Sequence, residues 1–326
     1  NAAKTSTGAV SFMELFSVTT GLIGQCLAED TPVLTSRGWI PIQHVRVGDL
    51  VWTHHGWRQV TYCFPSQTRN TFLLRTRRGY TLQLSEDHKL ATVRDGHIVL
   101  VPLKDLSAGS TILLLRGQGA PDASPQPLRP LEYARHPYNN SNRLATISQP
   151  TSLTPDLAYW LGFYVGNGSH TLRRTRDGSV KGVETSLAVR AGRHETVERL
   201  CQLTRSLFGL TPRVRKKAGE DCVRLRISSK WLYEWLQANG LAKPHASKAR
   251  IPAPVRASPD EIVAAFLAGL FDADGSPKGR KGGYCFATAS PQLAEDIRLE
   301  LLRLGIVTTT HVEDRSDRGW RAMHTV

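Results

Sequence analysis

The sequence is poor in cysteine, in long apolar runs and in acidic side chains, and each shortage closes off a class of function. Its five cysteines, Cys26, Cys63, Cys201, Cys222 and Cys285, are odd in number, widely scattered and contain no CxxC pair. That pattern excludes a disulfide framework and a cysteine-based zinc site. No run reaches the roughly eighteen apolar residues that a membrane-spanning helix needs. The N-terminus also lacks the charged-then-apolar pattern of a secretory leader. A soluble cytoplasmic protein with reduced thiols and no membrane partner is the expectation. At 326 residues and 40% hydrophobic, the chain is long enough for two or more cored domains.

The acidic shortage leaves 28 Asp/Glu against 42 Lys/Arg, a formal charge of +14. Such a balance calls for a polyanionic partner or a basic solvated face. From Thr171 to Ala257 there are 19 Lys/Arg against 7 Asp/Glu, so most of the excess sits in one segment. It includes Arg173, Arg174 and Arg176, the cluster Arg213, Arg215, Lys216 and Lys217, and the alternating pair Arg224 and Arg226. Alternation in Cys222-Val223-Arg224-Leu225-Arg226-Ile227-Ser228 puts both arginines on one face of a strand with apolar residues beneath. Such a strand could lie against a phosphate backbone, as of double-stranded DNA, and a solvated basic face is the plainer alternative.

Four segments follow from composition. Residues 1–25 are rich in Thr, Ser and Gly. Residues 26–116 hold short alternating or apolar runs, such as Asp49-Leu50-Val51-Trp52 and Thr71-Phe72-Leu73-Leu74-Arg75-Thr76, separated by turn residues; they predict an all-β unit. Residues 117–150 carry Pro121, Pro125, Pro127, Pro130 and Pro137 and read as a linker. In residues 151–326 helical and strand-like text alternates.

An internal echo marks this last segment. Leu157-Ala158-Tyr159-Trp160-Leu161-Gly162-Phe163-Tyr164-Val165-Gly166-Asn167-Gly168-Ser169 parallels Ala265-Phe266-Leu267-Ala268-Gly269-Leu270-Phe271-Asp272-Ala273-Asp274-Gly275-Ser276, about 107 residues on. Glycines six apart in an apolar helix let two helices approach closely, with the terminal polar residue at the bottom of the pair. Two copies predict a pseudo-twofold pair of αβ units; an ordinary buried helix with a glycine cap is the plainer alternative for each. The second copy resembles the LAGLIDADG motif of homing endonucleases. That resemblance implies a metal site, usually for Mg2+, at Asp274 and at the position held here by Asn167. An amide supplies an oxygen ligand but no charge, so the expectation is DNA binding with reduced, nicking or absent cleavage. The lysine that usually tunes the water in this family is not assignable among so many basic residues.

A second resemblance begins at Cys26. The run Cys26-Leu27-Ala28-Glu29-Asp30-Thr31-Pro32-Val33-Leu34-Thr35 resembles the first block of an intein, and Ser85-Glu86-Asp87-His88 resembles its second block, with Ser85 in place of the usual Thr. The resemblance implies a Hint (hedgehog/intein) fold, in which Cys26 attacks the Gln25 carbonyl to give a thioester. Splicing itself would need no cofactor. His88, near its ordinary pKa, would protonate the leaving nitrogen, while Ser85 polarises the scissile Gln25–Cys26 bond. The remaining cysteines are expected as small core residues.

In residues 1–25, Ser11-Phe12-Met13-Glu14-Leu15-Phe16 resembles adenosylcobalamin-dependent (class II) ribonucleotide reductases. This would make the segment a flanking extein, with adenosylcobalamin belonging only to the spliced host. The sequence ends at Met323-His324-Thr325-Val326 without the His-Asn that closes an intein, so a fragment of a longer precursor is expected. The predicted class is α+β: an all-β Hint domain, incomplete at its C-terminal end, then a pseudo-twofold αβ LAGLIDADG domain. A freestanding LAGLIDADG endonuclease or RNA maturase with an accessory β domain, and a non-splicing autoprocessing Hint protein, are the alternatives.

Overall fold

A computed structural model describes residues 4–7, 9–11, 26–65, 69–117, 124–132, 147–178, 180–216, 219–277 and 283–326. Phe12–Phe16 of the reductase-like stretch, Gln25 of the expected scissile bond and Lys217 of the basic cluster lie outside the described residues. The chain forms two compact units. One comprises Asn1–Ala123 with Leu301–His311, the other Ser124–Glu300 with Val312–Val326.

In chain order the first unit contains β1 (Lys4–Thr7), β2 (Ala9–Ser11), β3 (Cys26–Ala28), β4 (Pro32–Thr35), β5 (Gly38–Pro41), β6 (Leu50–Thr53), β7 (Gly56–Gln59), β8 (Phe64–Pro65), β9 (Arg69–Arg75), β10 (Thr81–Leu84), β11 (Lys89–Arg94) and β12 (His97–Pro102). They form sheets of order β1-β9-β10-β3-β2-β8 and β5-β4-β6-β7, and the β11-β12 hairpin. Turn chemistry sets the hairpins. Between β11 and β12, Asp95 and Gly96 both take positive φ, 49° and 77°, the double left-handed turn that matches strand twist and favours Asp-Gly. Apolar residues that alternate inward build a core of Val45, Val51 and Val60, with Val33, Ile40 and Cys63 against it.

The second unit contains α1 (Pro155–Asn167), β13 (Gly168–Arg174), β14 (Val180–Arg190), α2 (His194–Phe208), β15 (Arg213–Lys216), β16 (Cys222–Ser228), α3 (Lys230–Ala238), α4 (Ala253–Arg256), α5 (Asp260–Asp274), β17 (Gly275–Pro277), β18 (Tyr284–Thr288), α6 (Pro291–Arg303), β19 (His311–Glu313) and β20 (Met323–Thr325). The last residues of α6 group with the first unit. The two four-stranded sheets run β13-β14-β16-β15 and β17-β18-β20-β19. Each repeat thus orders its strands first, second, fourth, third, the internal symmetry that the echo predicts. The proline-rich stretch is more than a tether. Leu128 and Ile147 are buried, and Leu128 and Leu153 N–H donate to Thr151 and Gln126 carbonyls, because apolar residues between the prolines still gain by leaving water.

Helices α1 and α5 pack backbone to backbone at the centre of this unit. Thr154 caps α1 by accepting from Leu157 N–H at 3.2 Å, and Pro155 takes the first turn, where no donor is needed. Helix α1 is apolar nearly all round and is buried accordingly, whereas α5 buries Ile262, Val263, Phe266, Leu267, Gly269 and Leu270 and leaves Glu261, Ala264, Ala268 and Asp272 exposed on its other side. Glycine makes the approach feasible: a Cβ on Gly162 would lie 1.9 Å from Phe266 O, and one on Gly269 would lie 2.0 Å from Tyr159 O. Tyr159 OH then ties the pair by donating to Asp272 at 2.7 Å, and the Arg199 guanidinium covers its ring at 3.6 Å.

Candidate functional sites

Both repeats deliver their last helical residue to the same place. Asn167 ends α1 and Asp274 ends α5, and Asn167 Nδ2 donates to Ala273 O at 2.8 Å across the pair. Asp274 keeps one side open to solvent, while the protein around its carboxyl raises its pKa by burial. Lys243 and the Asn167 amide pull it back down. A cavity of about 140 Å3 opens here, lined by Gly166, Lys243, Asp274, Phe286, Thr288 and Met323 among others.

Lys243 is the residue that sequence reasoning missed. It follows α3 in an irregular stretch, 31 positions before Asp274, and nothing local distinguishes it from its basic neighbours. Its Nζ donates to Gly166 O at 2.5 Å and Gly168 O at 3.1 Å, so the ammonium sits at the C-terminal end of α1, where carbonyls lack helical donors. Burial lowers its pKa to about 8, against the opposing pull of Asp274. Its backbone N–H donates to Tyr164 OH at 2.8 Å. That hydroxyl in turn meets His170 Nε2, and His170 Nδ1 lies 3.1 Å from Thr185 Oγ1. Burial holds His170 down at about 4, so the ring is neutral at pH 7.

Oxygen donors, one of them a carboxylate, fit a hard divalent cation that completes its shell with substrate phosphates and water. They do not fit two cations each held by a carboxylate of its own. Asp274 and the Asn167 oxygen are the residues that would hold the ion.

The basic residues fall as the alternation predicts, in part. Register pairs Arg213 with Arg226 and Arg215 with Arg224, so these four share one face, with Leu225 and Ile227 buried on the other. Glu184 accepts from Arg226 at 2.6 Å and Glu220 from Arg224 at 3.2 Å. Arg173 joins the same face through its pairing with Gly182 on β14. Lys216 pairs with Val223 and so belongs to the opposite face, because successive strand residues alternate. Arg174 follows a register shift at the end of β13, and Arg176 is exposed in the turn beyond it.

The other candidate site lies in the β unit. Cys26 opens β3 at 1% exposure. Its N–H donates to Ser85 Oγ at 3.0 Å, and Ser85 N–H donates back to Cys26 O at 2.9 Å. The tight turn after β10 continues with His88 N–H donating to Ser85 O at 3.1 Å. The expected near-neutral histidine is not found: burial lowers His88 to about 4, and its buried Nδ1 has no hydrogen-bond partner among the described residues. At pH 7 this ring is therefore neutral, because burial disfavours its charged form. Of the other thiols, Cys201 is buried and Cys63 packs on the valine cluster. Cys222 and Cys285 are only partly buried, because each takes the outward position of its strand.

Two glycine-packed helices thus end at Asn167 and Asp274, each followed by an antiparallel sheet. Residues 261–326 match the LAGLIDADG-like domain family. The matched segment begins in α5 and runs through β20. Among curated proteins, the replication factor C small subunit of Methanocaldococcus jannaschii is 25% identical over 252 residues, covering 76% of this chain and 11% of that protein. The ribonucleoside-diphosphate reductase NrdEB subunit alpha of Bacillus subtilis is 23% identical over 251 residues, covering 75% and 20%. The chain therefore spans a tenth to a fifth of the length of these relatives. The crystal structure of I-DmoI in complex with DNA and Mn is similar at 19% identity and a TM-score of 0.38, over 52% of this chain and 87% of that one. No helix among the described residues is long and apolar enough to cross a membrane.

Proposed function

We propose that the second unit is a DNA endonuclease of the homing type, dependent on a divalent cation, with Asp274 as the residue on which cleavage turns. The observation that carries this reading is the meeting of Asp274, Asn167 and Lys243 at the foot of a glycine-packed helix pair that leads directly into an arginine-faced sheet. Asp274 holds the cation, which when bound would lower the pKa of water and offset charge on the leaving oxygen. Lys243, with its pKa pulled toward neutrality, moves a proton at the attacking water. The arginine face positions the phosphate backbone. Asn167 holds the two helix ends together through Ala273 and adds no charge, so one strand is cut more slowly than the other. Nicking of supercoiled plasmid carrying the gene's insertion site, with Mg2+ and with EDTA, tests this. Wild-type chain that cuts while Asp274→Ala does not supports it; equal cutting by both refutes it.

The first unit supports a second activity: intein-type autoprocessing, in which Cys26 attacks the Gln25 carbonyl. Two observations favour it. Ser85 Oγ receives the Cys26 N–H, the group that becomes the free amine when the peptide bond is exchanged for a thioester, and a neutral buried His88 lies in the same turn. Moreover, about three quarters of the chain is similar to a part of a replication factor and to a part of a nucleotide reductase, proteins with unrelated names, as expected of an element inserted into many hosts. The flanking extein is then the partner of this site, and the reductase relative favours a reductase host; the adenosylcobalamin-dependent class remains part of the proposal. Hydroxylamine cleavage after Gln25 should occur in a precursor with Cys26 and stop in Cys26→Ala. Cleavage that persists in that variant refutes the assignment.

A further inference from the structure

The two repeats are unlike in charge, and this points to a one-sided grip on nucleic acid. Strands β13–β16 carry nine lysines and arginines against a single glutamate. Strands β17–β20 carry none, with one glutamate. The contrast is sharpest on the outer faces. In the first sheet, arginines stand directly opposite one another across antiparallel strands, Arg213 against Arg226 and Arg215 against Arg224. Like charges in that position destabilise a sheet, and Glu184 and Glu220 relieve only one member of each pair. Such an arrangement is stabilised by an anion lying along it. In the second sheet, Phe286 and Thr288 are buried, which turns Cys285 and Ala287 to the outer face; Ser276 pairs with Cys285 and Thr325 with Ala287. These residues are small and uncharged. They permit a close approach and neutralise no phosphate.

We infer that, of the two sheets, the first supplies nearly all of the phosphate-neutralising affinity for a DNA duplex, while the second, whose repeat holds Asp274, is docked by it and reads shape at short range. This rests on the nucleic-acid reading above and adds its polarity. A chain built this way binds through one half of its site first and stays on that half after cutting.

Salt dependence separates the two repeats. Each phosphate contact contributes about 0.9 to the slope of log K against log salt concentration. Binding of the full chain to a labelled mixed-sequence duplex of about 30 base pairs is measured by anisotropy between about 50 and 200 mM salt. Removing three charges from the first sheet, Arg213→Ala with Arg215→Ala and Arg224→Ala, should lower the slope by about 2.7. Removing the three arginines that follow β19 in the second repeat, Arg315→Ala with Arg318→Ala and Arg321→Ala, should lower it by less than about 1. Glutamine versions of the first set, checked by thermal melting, guard against loss of fold. Equal slopes lost from both sets overturn the inference while leaving DNA binding intact. Wild-type chain that shows no salt-dependent binding overturns the nucleic-acid reading itself.

Discussion

Gly162→Ala puts the helix pair to a direct test. The added Cβ falls 1.9 Å from Phe266 O and 2.8 Å from Leu270 N, both backbone atoms of the facing helix. Ordinary contact lies at about 3.5 Å, so α1 and α5 must part by more than about 1 Å. Overpacking costs about 1–3 kcal/mol where side chains can yield. Here two backbones meet and no rotamer offers relief, so the upper end, about 3 kcal/mol, is expected. For a unit of this size each kcal/mol shifts the melting temperature by about 2–4 °C, giving a fall of about 6–12 °C. The control is Gly182→Ala, where a Cβ meets nothing within 4 Å and φ is not positive; it should melt as the wild type does. Scanning calorimetry on the full chain reads both. Cutting should suffer more than stability, because parting the helices separates Asn167 from Ala273 and moves Asp274 away from Lys243. A Gly162→Ala chain that melts within about 2 °C of the Gly182→Ala control would show that the helices do not meet through this glycine.

Three further outcomes are expected. Ser85→Ala removes the acceptor of the buried Cys26 N–H and should cost about 1–3 kcal/mol in the first unit, read from urea midpoints, with Ser85→Thr close to wild type; an unchanged Ser85→Ala would sink the role given to this bond. His88 takes its proton at about pH 4 in the fold against 6.5 in the unfolded chain. The unfolded chain therefore binds more protons in that window, so stability is full above about pH 6.5 and declines toward pH 4, by about 3 kcal/mol from this group. His88→Gln should flatten that part of the profile, and a slope unchanged in the variant refutes it. Lys243→Met should slow plasmid nicking by about 10²–10⁴-fold, the usual worth of a positioned proton carrier, while leaving duplex binding by anisotropy nearly unchanged; loss of binding to the same degree would reassign Lys243 to the DNA grip.

Much of this was legible locally. Cys222–Ser228 alternates, and the strand that results turns Arg224 and Arg226 outward over buried Leu225 and Ile227. Asp95-Gly96 carries its turn in its own backbone preferences. Glycines six apart in each of two matching apolar runs predict a close helix pair, and the first of each, Gly162 and Gly269, is the one that meets the facing helix. Other features had no local sign. Lys216 looked like a neighbour of Arg213 and Arg215 but takes the opposite face, because one residue along a strand reverses direction. His88 reads as an ordinary histidine in the sequence, and its lowered pKa comes from burial, which appears only in the folded unit. Leu301–His311, read as part of the second unit, groups with the first.

The sequence alone determined what depends on short-range periodicity and backbone preference: strands, hairpins, glycine-packed helices and a concentration of positive charge. Tertiary structure alone decided which of many lysines is buried beside Asp274, that Ser85 receives the N–H of a cysteine 59 residues away, and that one sheet carries the arginines while its counterpart is neutral on its outer face. Pairings of this kind are set by long-range packing and desolvation, which act on groups brought together in space whatever their distance along the chain.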